Sequence, residues 1–170
     1  MSRFEPFGPF DMPVDGVHID TGLAKEFWQS VEDARQGLQD AIGCYIFAIR
    51  AGRGTKPWYV GKTERSFRQE AWQPGKLLLF SKHLDSRKRG TPVLYLIAKQ
   101  TSRGRFAKGS RSVKPLEEML IGQCLLRNHR LLNKKDINRF LKIEVPGFMN
   151  EPRGARSAPA KELAKLLGPS

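Results

Sequence analysis

The sequence predicts an α+β domain, a small central antiparallel or mixed β-sheet flanked by helices, and three observations carry that prediction. Short runs of β-branched, aromatic and apolar residues at 43–49, 58–61 and 92–98 read as strands. Stretches with apolar residues three and four apart lie around them and read as amphipathic helices. Glycine, proline and capping residues punctuate the joins. With 170 residues, 39% of them hydrophobic and 28% charged, the chain suits one globular domain with a small appendage. It divides into an N-terminal arm and amphipathic helix at 1–41, a core at 42–146, and a basic linker with a short helix at 147–170.

Residues 1–20 are rich in Phe, Pro and Gly without a strand or helix period, and read as an extended arm laid over a surface. Residues 22–41 follow as a helix, with Leu23, Phe27, Val31, Ala34 and Leu38 on one side, Thr21 as N-cap and Gly43 past the end. GCYIFAI at 43–49 is apolar on both faces, the mark of a buried strand. Two glycines make 51–56 a hairpin loop, and 58–61 the returning strand. Ser66 with Gln69 three residues on has the form of a capping box, opening a helix to about Trp72, before Pro74. Another helix carries Leu77, Phe80 and Leu84, and PVLYLIA at 92–98 is a third strand. The polar, basic run 99–114 reads as a mobile loop. Residues 115–129 read as a helix with Pro115 in its first turn, where a missing N–H costs little. FLKIEV at 140–145 reads as a last strand, and 159–167 as a terminal helix.

Charge narrows the class of partner. Thirty Lys and Arg against 17 Asp and Glu give a net charge of +13. Residues 1–41 hold three bases and eight acids, whereas 42–100 hold twelve and three, and 101–170 fifteen and six. An acidic front and a basic remainder point to a polyanion, and nucleic acid is the usual one. No apolar run approaches the roughly 20 residues that a membrane span needs, and the first residues lack the basic start and apolar stretch of a signal peptide. A cytoplasmic location with no membrane partner is the expectation. Cys44 and Cys124 stand alone, without the clustered spacing of a zinc site, and fit a reducing compartment.

Gly43-Cys44-Tyr45 opens the first central strand and Tyr59-Val60-Gly61-Lys62 closes the second, so a hairpin would bring Tyr45 and Tyr59 close together. This pair resembles the signature of the GIY-YIG endonuclease family, in the variant form GCY…YVG. The resemblance covers roughly residues 42–134. The family's pattern continues with an arginine on the next helix, where Arg68 stands, with Gln69 one place on and Arg65 as the other option. A metal-binding glutamate opens a later helix, where Glu117 precedes Leu120-Ile121, and an asparagine follows, matched by Asn133. Trp72 stands where the family often has His or Tyr, with His83 as a substitute from the next helix.

The resemblance implies a Mg²⁺-dependent (or Mn²⁺-dependent) hydrolase with one ion, cutting phosphodiester bonds to leave 5′-phosphate and 3′-hydroxyl ends. It implies Tyr45 as general base, Tyr59 as a group orienting water or phosphate, and Arg68 and Lys62 on the phosphate. It also makes Glu117 the metal ligand. The residues by themselves agree in kind. On a helical wheel Glu117 falls inside the apolar arc of Leu116, Met119, Leu120, Ile121 and Cys124, and Glu118 outside it. An inward carboxylate needs a partner, a metal or a salt bridge. One carboxylate can hold Mg²⁺, which keeps most of its waters. A tyrosine acting as base needs its pKa depressed by a neighbour such as Lys62, Arg68 or metal-bound water. Arg65, Arg103, Arg105 and Lys108, with Lys62, Asn133, Lys134 and Lys135, are the expected nucleic-acid contacts, mostly to backbone phosphates. DNA is the first expectation and RNA the second, with a partner protein supplying specificity. The alternative is a catalytically weak or inactive nucleic-acid-binding module on the same fold.

Overall fold

A computed structural model describes residues 2–52, 54–84, 90–133 and 157–167. The chain forms two units, Met1–Asn133 and Lys134–Ser170. The first contains strands β1 (Arg3–Asp11), β2 (Val14–Asp15), β3 (His18–Ile19), β4 (Gly43–Ala51), β5 (Gly54–Thr63) and β6 (Thr91–Gln100). Its helices are α1 (Ala24–Ala34), led by a 3₁₀ turn at Thr21–Leu23, α2 (Phe67–Ala71), α3 (Pro74–Ser81) and α4 (Val113–Arg127). In the second unit α5 spans Ala158–Leu167. The strand expected at 140–145 lies outside the described residues.

Four strands form an antiparallel sheet in the order β1-β6-β4-β5, and β2 and β3 pair separately. The fold is therefore mixed, with helices flanking a small antiparallel sheet. Residues 3–11 of the expected arm form the sheet's outer strand, paired with β6 from Arg3↔Gln100 to Asp11↔Val93. The register slips between Phe7 and Phe10, around Gly8-Pro9, and this hides the two-residue period in the sequence. Pro6 and Pro9 are tolerated because an edge strand can spare an N–H.

Strand β4 is central, and its two faces bury different sets. Tyr45 and Phe47 pack with Phe27, Trp28 and Val31 of α1, Phe67 and Ala71 of α2, and Leu77 and Phe80 of α3. Cys44 packs on the other side against Val113, Leu116 and Leu120 of α4. Helix α1 stops at Ala34, earlier than its period suggests. The Glu32 carboxylate accepts from the Gly37 and Gln39 N–H groups at 2.8 and 2.9 Å, ending the helix while Leu38 and Ala41 still reach the core. Ser66 caps α2 as expected, its hydroxyl accepting from Gln69 N at 3.2 Å.

The β4–β5 hairpin is longer than expected. The strands pair out to Ala51↔Gly54, and the step from Phe47↔Tyr59 to Ala48↔Pro57 leaves Trp58 as a bulge. Of the thirteen residues between Tyr45 and Tyr59, all but the two between Ala51 and Gly54 thus belong to strand and bulge. The basic run after β6 is also held rather than loose. The Lys99 ammonium, in a residue only 8% exposed, donates to the carbonyls of Gly109 (2.6 Å) and Arg111, and Phe106 makes a bridge back to Gln100.

The outer edge of β5 is closed by the segment after α4. Asn128 Nδ2 donates to Pro57 O (2.7 Å) and Leu132 N to Trp58 O (2.8 Å). Asn133 takes both polar groups of Val60, accepting from its N–H at 2.9 Å and donating to its carbonyl at 2.6 Å. An open strand edge is an aggregation liability, and this clasp covers it. Asn133→Ala leaves both Val60 groups unpaired in a buried place, so it should cost about 2–6 kcal/mol, taking about 1–3 for each orphaned group. Urea unfolding reads this directly, and a loss below about 0.5 kcal/mol would show that the clasp is dispensable.

Candidate active site at the crossing of Tyr45 and Gly61

Two glycines of the GCY…YVG pair have packing reasons to be glycine. Tyr45 and Gly61 are cross-strand partners, and a Cβ on Gly61 would fall inside the Tyr45 ring. The ring therefore lies across edge strand β5. Gly43 has φ +154° and its backbone runs against the Ile97 carbonyl of β6, leaving no room for a side chain. Tyr59, half-buried, sits two residues before Gly61, its ring centroid 6.2 Å from that of Tyr45 and 5.7 Å from that of Phe47.

Charge around Tyr45 comes from both faces of the sheet. Burial pushes the Tyr45 phenol well above the range of a free tyrosine, and Tyr59, Glu70 and Glu117 push it further. The Tyr45 Oη is buried without a regular hydrogen bond, although Tyr59 is close enough to act on it. Glu70 belongs to α2, on the Tyr45 face, and Glu117 to α4, which packs on the Cys44 face. Burial and then Glu117 push the Cys44 thiol up to about 12, against a lowering by Lys62.

The expected depression of Tyr45 by Lys62 or Arg68 is therefore not met, because neither cation is among the groups that act on it. Burial and two carboxylates outweigh the protein's own cations, so without a bound metal the phenol is protonated near neutral pH. Tyr45 and Tyr59 come together, while Glu117, on the helix of the other face, acts on the phenol only through its charge. Glu117 lies on the inward stripe of α4 with Val113, Leu116, Leu120, Ile121, Cys124 and Leu125, spaced by three and four, whereas Met119, expected inside, is 69% exposed. Lys62 pairs in register with Cys44, on the opposite side of the strand from Tyr45, and its ammonium meets Glu64 at 3.2 Å. Arg68 is exposed, and its backbone N–H bonds Gln39 O at 2.9 Å. Arg65, Arg103, Arg105 and Lys108 are exposed. Asn133 is 8% exposed with both amide atoms bonded to Val60, so its place is in the β5 clasp. Lys134 and Lys135 lie outside the described residues.

Sequence reasoning missed Glu70 and Lys76. Their side chains form an ion pair, and the Lys76 ammonium also sits 5.7 Å over the Tyr45 ring. They are six apart across the break at Pro74, a spacing that no helical rule flags. Trp72 is a packing residue, stacked on Phe27 at 4.5 Å and edge-on to Trp28 at 5.7 Å. His83 lies beside Trp58, 5.0 Å between rings, with Nδ1 3.2 Å from the Leu79 carbonyl.

Among the described residues there is no group of three or more His, Cys, Asp or Glu that could share a metal, and no helix long and apolar enough to cross a membrane. The oxygen donors that act around Tyr45 are Glu70, already paired with Lys76, Glu117 from the opposite face, and the Tyr59 phenol. That set suits a hard ion that keeps most of its own waters, Mg²⁺ or Mn²⁺, and not zinc. No family model, curated protein or solved structure matches the chain.

The shifted groups make a titration prediction. Tyr45 and Cys44 have folded pKa values above their unfolded values, so their contribution to stability is complete below the unfolded pKa and drains away as pH rises past it. Stability should fall above about pH 9, and the Tyr45 phenolate should appear in the ultraviolet only on alkaline unfolding. Cys44 (about 12) and Cys124 (about 11) should resist alkylation by iodoacetamide at pH 8.5 until the chain is denatured. Full phenolate formation or rapid alkylation in the native state would contradict the burial argument.

Proposed function

We propose that this protein is a metal-dependent endonuclease that hydrolyses phosphodiester bonds in DNA at a GIY-YIG-type site. The observation that carries the reading is the crossing of Tyr45 over Gly61, with Tyr59 beside it and Glu117 acting on the same phenol. That is the juxtaposition the GCY…YVG resemblance asks for, built here from an antiparallel hairpin and a separate helix.

In this reading Glu117 holds the ion, which when bound supplies positive charge to the phosphate and an acidified water. Tyr45, neutral, donates a hydrogen bond that orients the water or the phosphate, and Tyr59 supports it from the neighbouring strand. Lys62 and Arg68 meet the backbone at the end of β5 and on α2. The exposed Arg65, Arg103, Arg105 and Lys108 add phosphate contacts that give affinity without reading sequence. Phosphate contacts do not read sequence, which leaves room for a partner protein that supplies specificity.

A second reading has its own observation. The Tyr45 hydroxyl is buried and held protonated, and Arg68 is exposed, away from the groups that act on it. Both features favour a nucleic-acid-binding module of the same fold with weak or no cleavage.

Supercoiled plasmid with Mg²⁺ separates the two. The nuclease reading expects nicking by the wild type, a drop of at least 100-fold in Glu117→Ala, and about 10-fold to 100-fold in Tyr45→Phe, the range for one lost polar interaction in the transition state. Circular dichroism checks that both variants fold. Salt-sensitive retention of the plasmid, equal in all three proteins and without nicking, would replace the nuclease with the binding module.

A further inference from the structure

An open cleft of about 300 Å³ lies at the end of the β4–β5 ladder nearest Tyr45. Ile42, just before β4, and Glu64 and Arg65, just after β5, form one side, and Phe106 and Lys108 of the basic loop form the other. The Tyr45↔Gly61 pair is the third rung in from that end.

The floor of the cleft is an aromatic ring fixed in place. Phe106 bridges back to β6, meets Phe7 edge-on at 6.1 Å, and has the Arg35 guanidinium 5.9 Å from its centroid. Arg35 is itself tied to the loop through Gly104 O at 3.2 Å. Gly37, in the left-handed region at φ +79°, presents bare backbone to the ring, and even a Cβ there would sit 3.6 Å from it. Phe106 lines the cleft and is half-buried.

The rim is mixed in charge, with Asp40 and Glu64 against Arg65 and Lys108. A simple anion would be repelled by the acids, and a simple cation by the bases. A nucleotide within a strand satisfies both, with an exocyclic amine for a carboxylate and a phosphate for a cation. At about 300 Å³ the space lies at the small end of ligand pockets and has room for one base.

We propose that this cleft takes one unpaired, amine-bearing nucleobase of a single strand. Phe106 is the stacking surface, Asp40 and Glu64 the acceptors, and Arg65 and Lys108 the phosphate contacts. The proposal rests on nucleic acid as partner but not on cleavage.

The test is therefore a binding measurement in EDTA, with fluorescein-labelled dA₁₂, dC₁₂ and dT₁₂ and a duplex of the same length. Adenine and cytosine carry an exocyclic amine and thymine does not, so dA₁₂ and dC₁₂ should bind about 5-fold to 10-fold more tightly than dT₁₂ and than the duplex. Phe106→Leu keeps an apolar packing group and removes the ring face. It should cost about 5-fold to 100-fold on dA₁₂, the range for one lost base stack. Asp40→Asn paired with Glu64→Gln should narrow the gap between dA₁₂ and dT₁₂, and Lys108→Ala should lower the salt slope by about one without changing base preference.

Equal binding of dT₁₂ and dA₁₂, or a Phe106→Leu protein that folds and binds as the wild type does, would overturn the cleft and leave the nuclease reading standing. Absence of any nucleic-acid binding by the wild type would overturn both. Base-selective binding alongside an absence of nicking in Mg²⁺ would keep the cleft and remove the nuclease.

Discussion

The register of β4 against β5 depends on one contact, the Tyr45 ring lying across Gly61. A shift of one residue would put Val60 or Lys62 under that ring and turn every side chain of β5 to the other face of the sheet. Val60 and Lys62, which share the face opposite Tyr45, would both turn to the Tyr45 face and carry the Lys62 charge into the main core. Gly61 therefore specifies pairing as well as permitting it. Gly43 works the same way on the other side of β4, where the Ile97 carbonyl of β6 leaves no room for a side chain. Two glycines thus fix the central strand between its neighbours.

With the hairpin fixed, the edge of β5 decides where α4 sits. The segment following α4 spends Asn128, Leu132 and Asn133 on the backbone of Pro57, Trp58 and Val60. Those bonds hold the end of the helix against the strand, while Val113 and Leu116 hold its beginning against Cys44. Glu117, one residue after Leu116, is carried to the sheet by the same packing. The asparagine that closes β5 thus helps to set where α4, and Glu117 with it, lies along the strand.

Much of this was legible in the sequence where one residue type has one physical use. The apolar runs at 43–49 and 92–98 are buried strands because both faces of a central strand are covered. The Ser66–Gln69 spacing is a cap, and the three-and-four stripe of α4 carries Glu117 inward. What was not legible depends on contacts distant in sequence. The strand at 3–11 is masked by a register slip and two prolines, and it exists because β6 offers it an edge. The loop at 101–112 looks free by composition, yet it is held by a lysine that the sequence presents as one more surface charge. The wheel placed Met119 inside because it scored hydrophobicity alone, whereas the sheet covers the stripe that runs through Leu116 and Leu120. Glu70 and Lys76 meet across a helix break, where no periodicity reports neighbours.

The packing that builds the site also sets its electrostatic state. A tyrosine pinned over a glycine between helices must lose its hydration, and desolvation is the largest influence on its phenol. The two carboxylates that act on it next approach from different helices on different faces, so their effects add. One of them, Glu70, carries its own counter-ion in Lys76, which also covers the Tyr45 ring. Glu117 comes in on the side of Cys44 and Lys62, where the Lys62 ammonium meets Glu64. Any cation that binds at Glu117 therefore does more than neutralise a carboxylate. It removes a charge that opposes ionisation of both the thiol and the phenol, two groups separated by the thickness of one strand. The state of Tyr45 is coupled to Glu117 through space, across the sheet edge, and that coupling follows from the register and the clasp before any question of substrate arises.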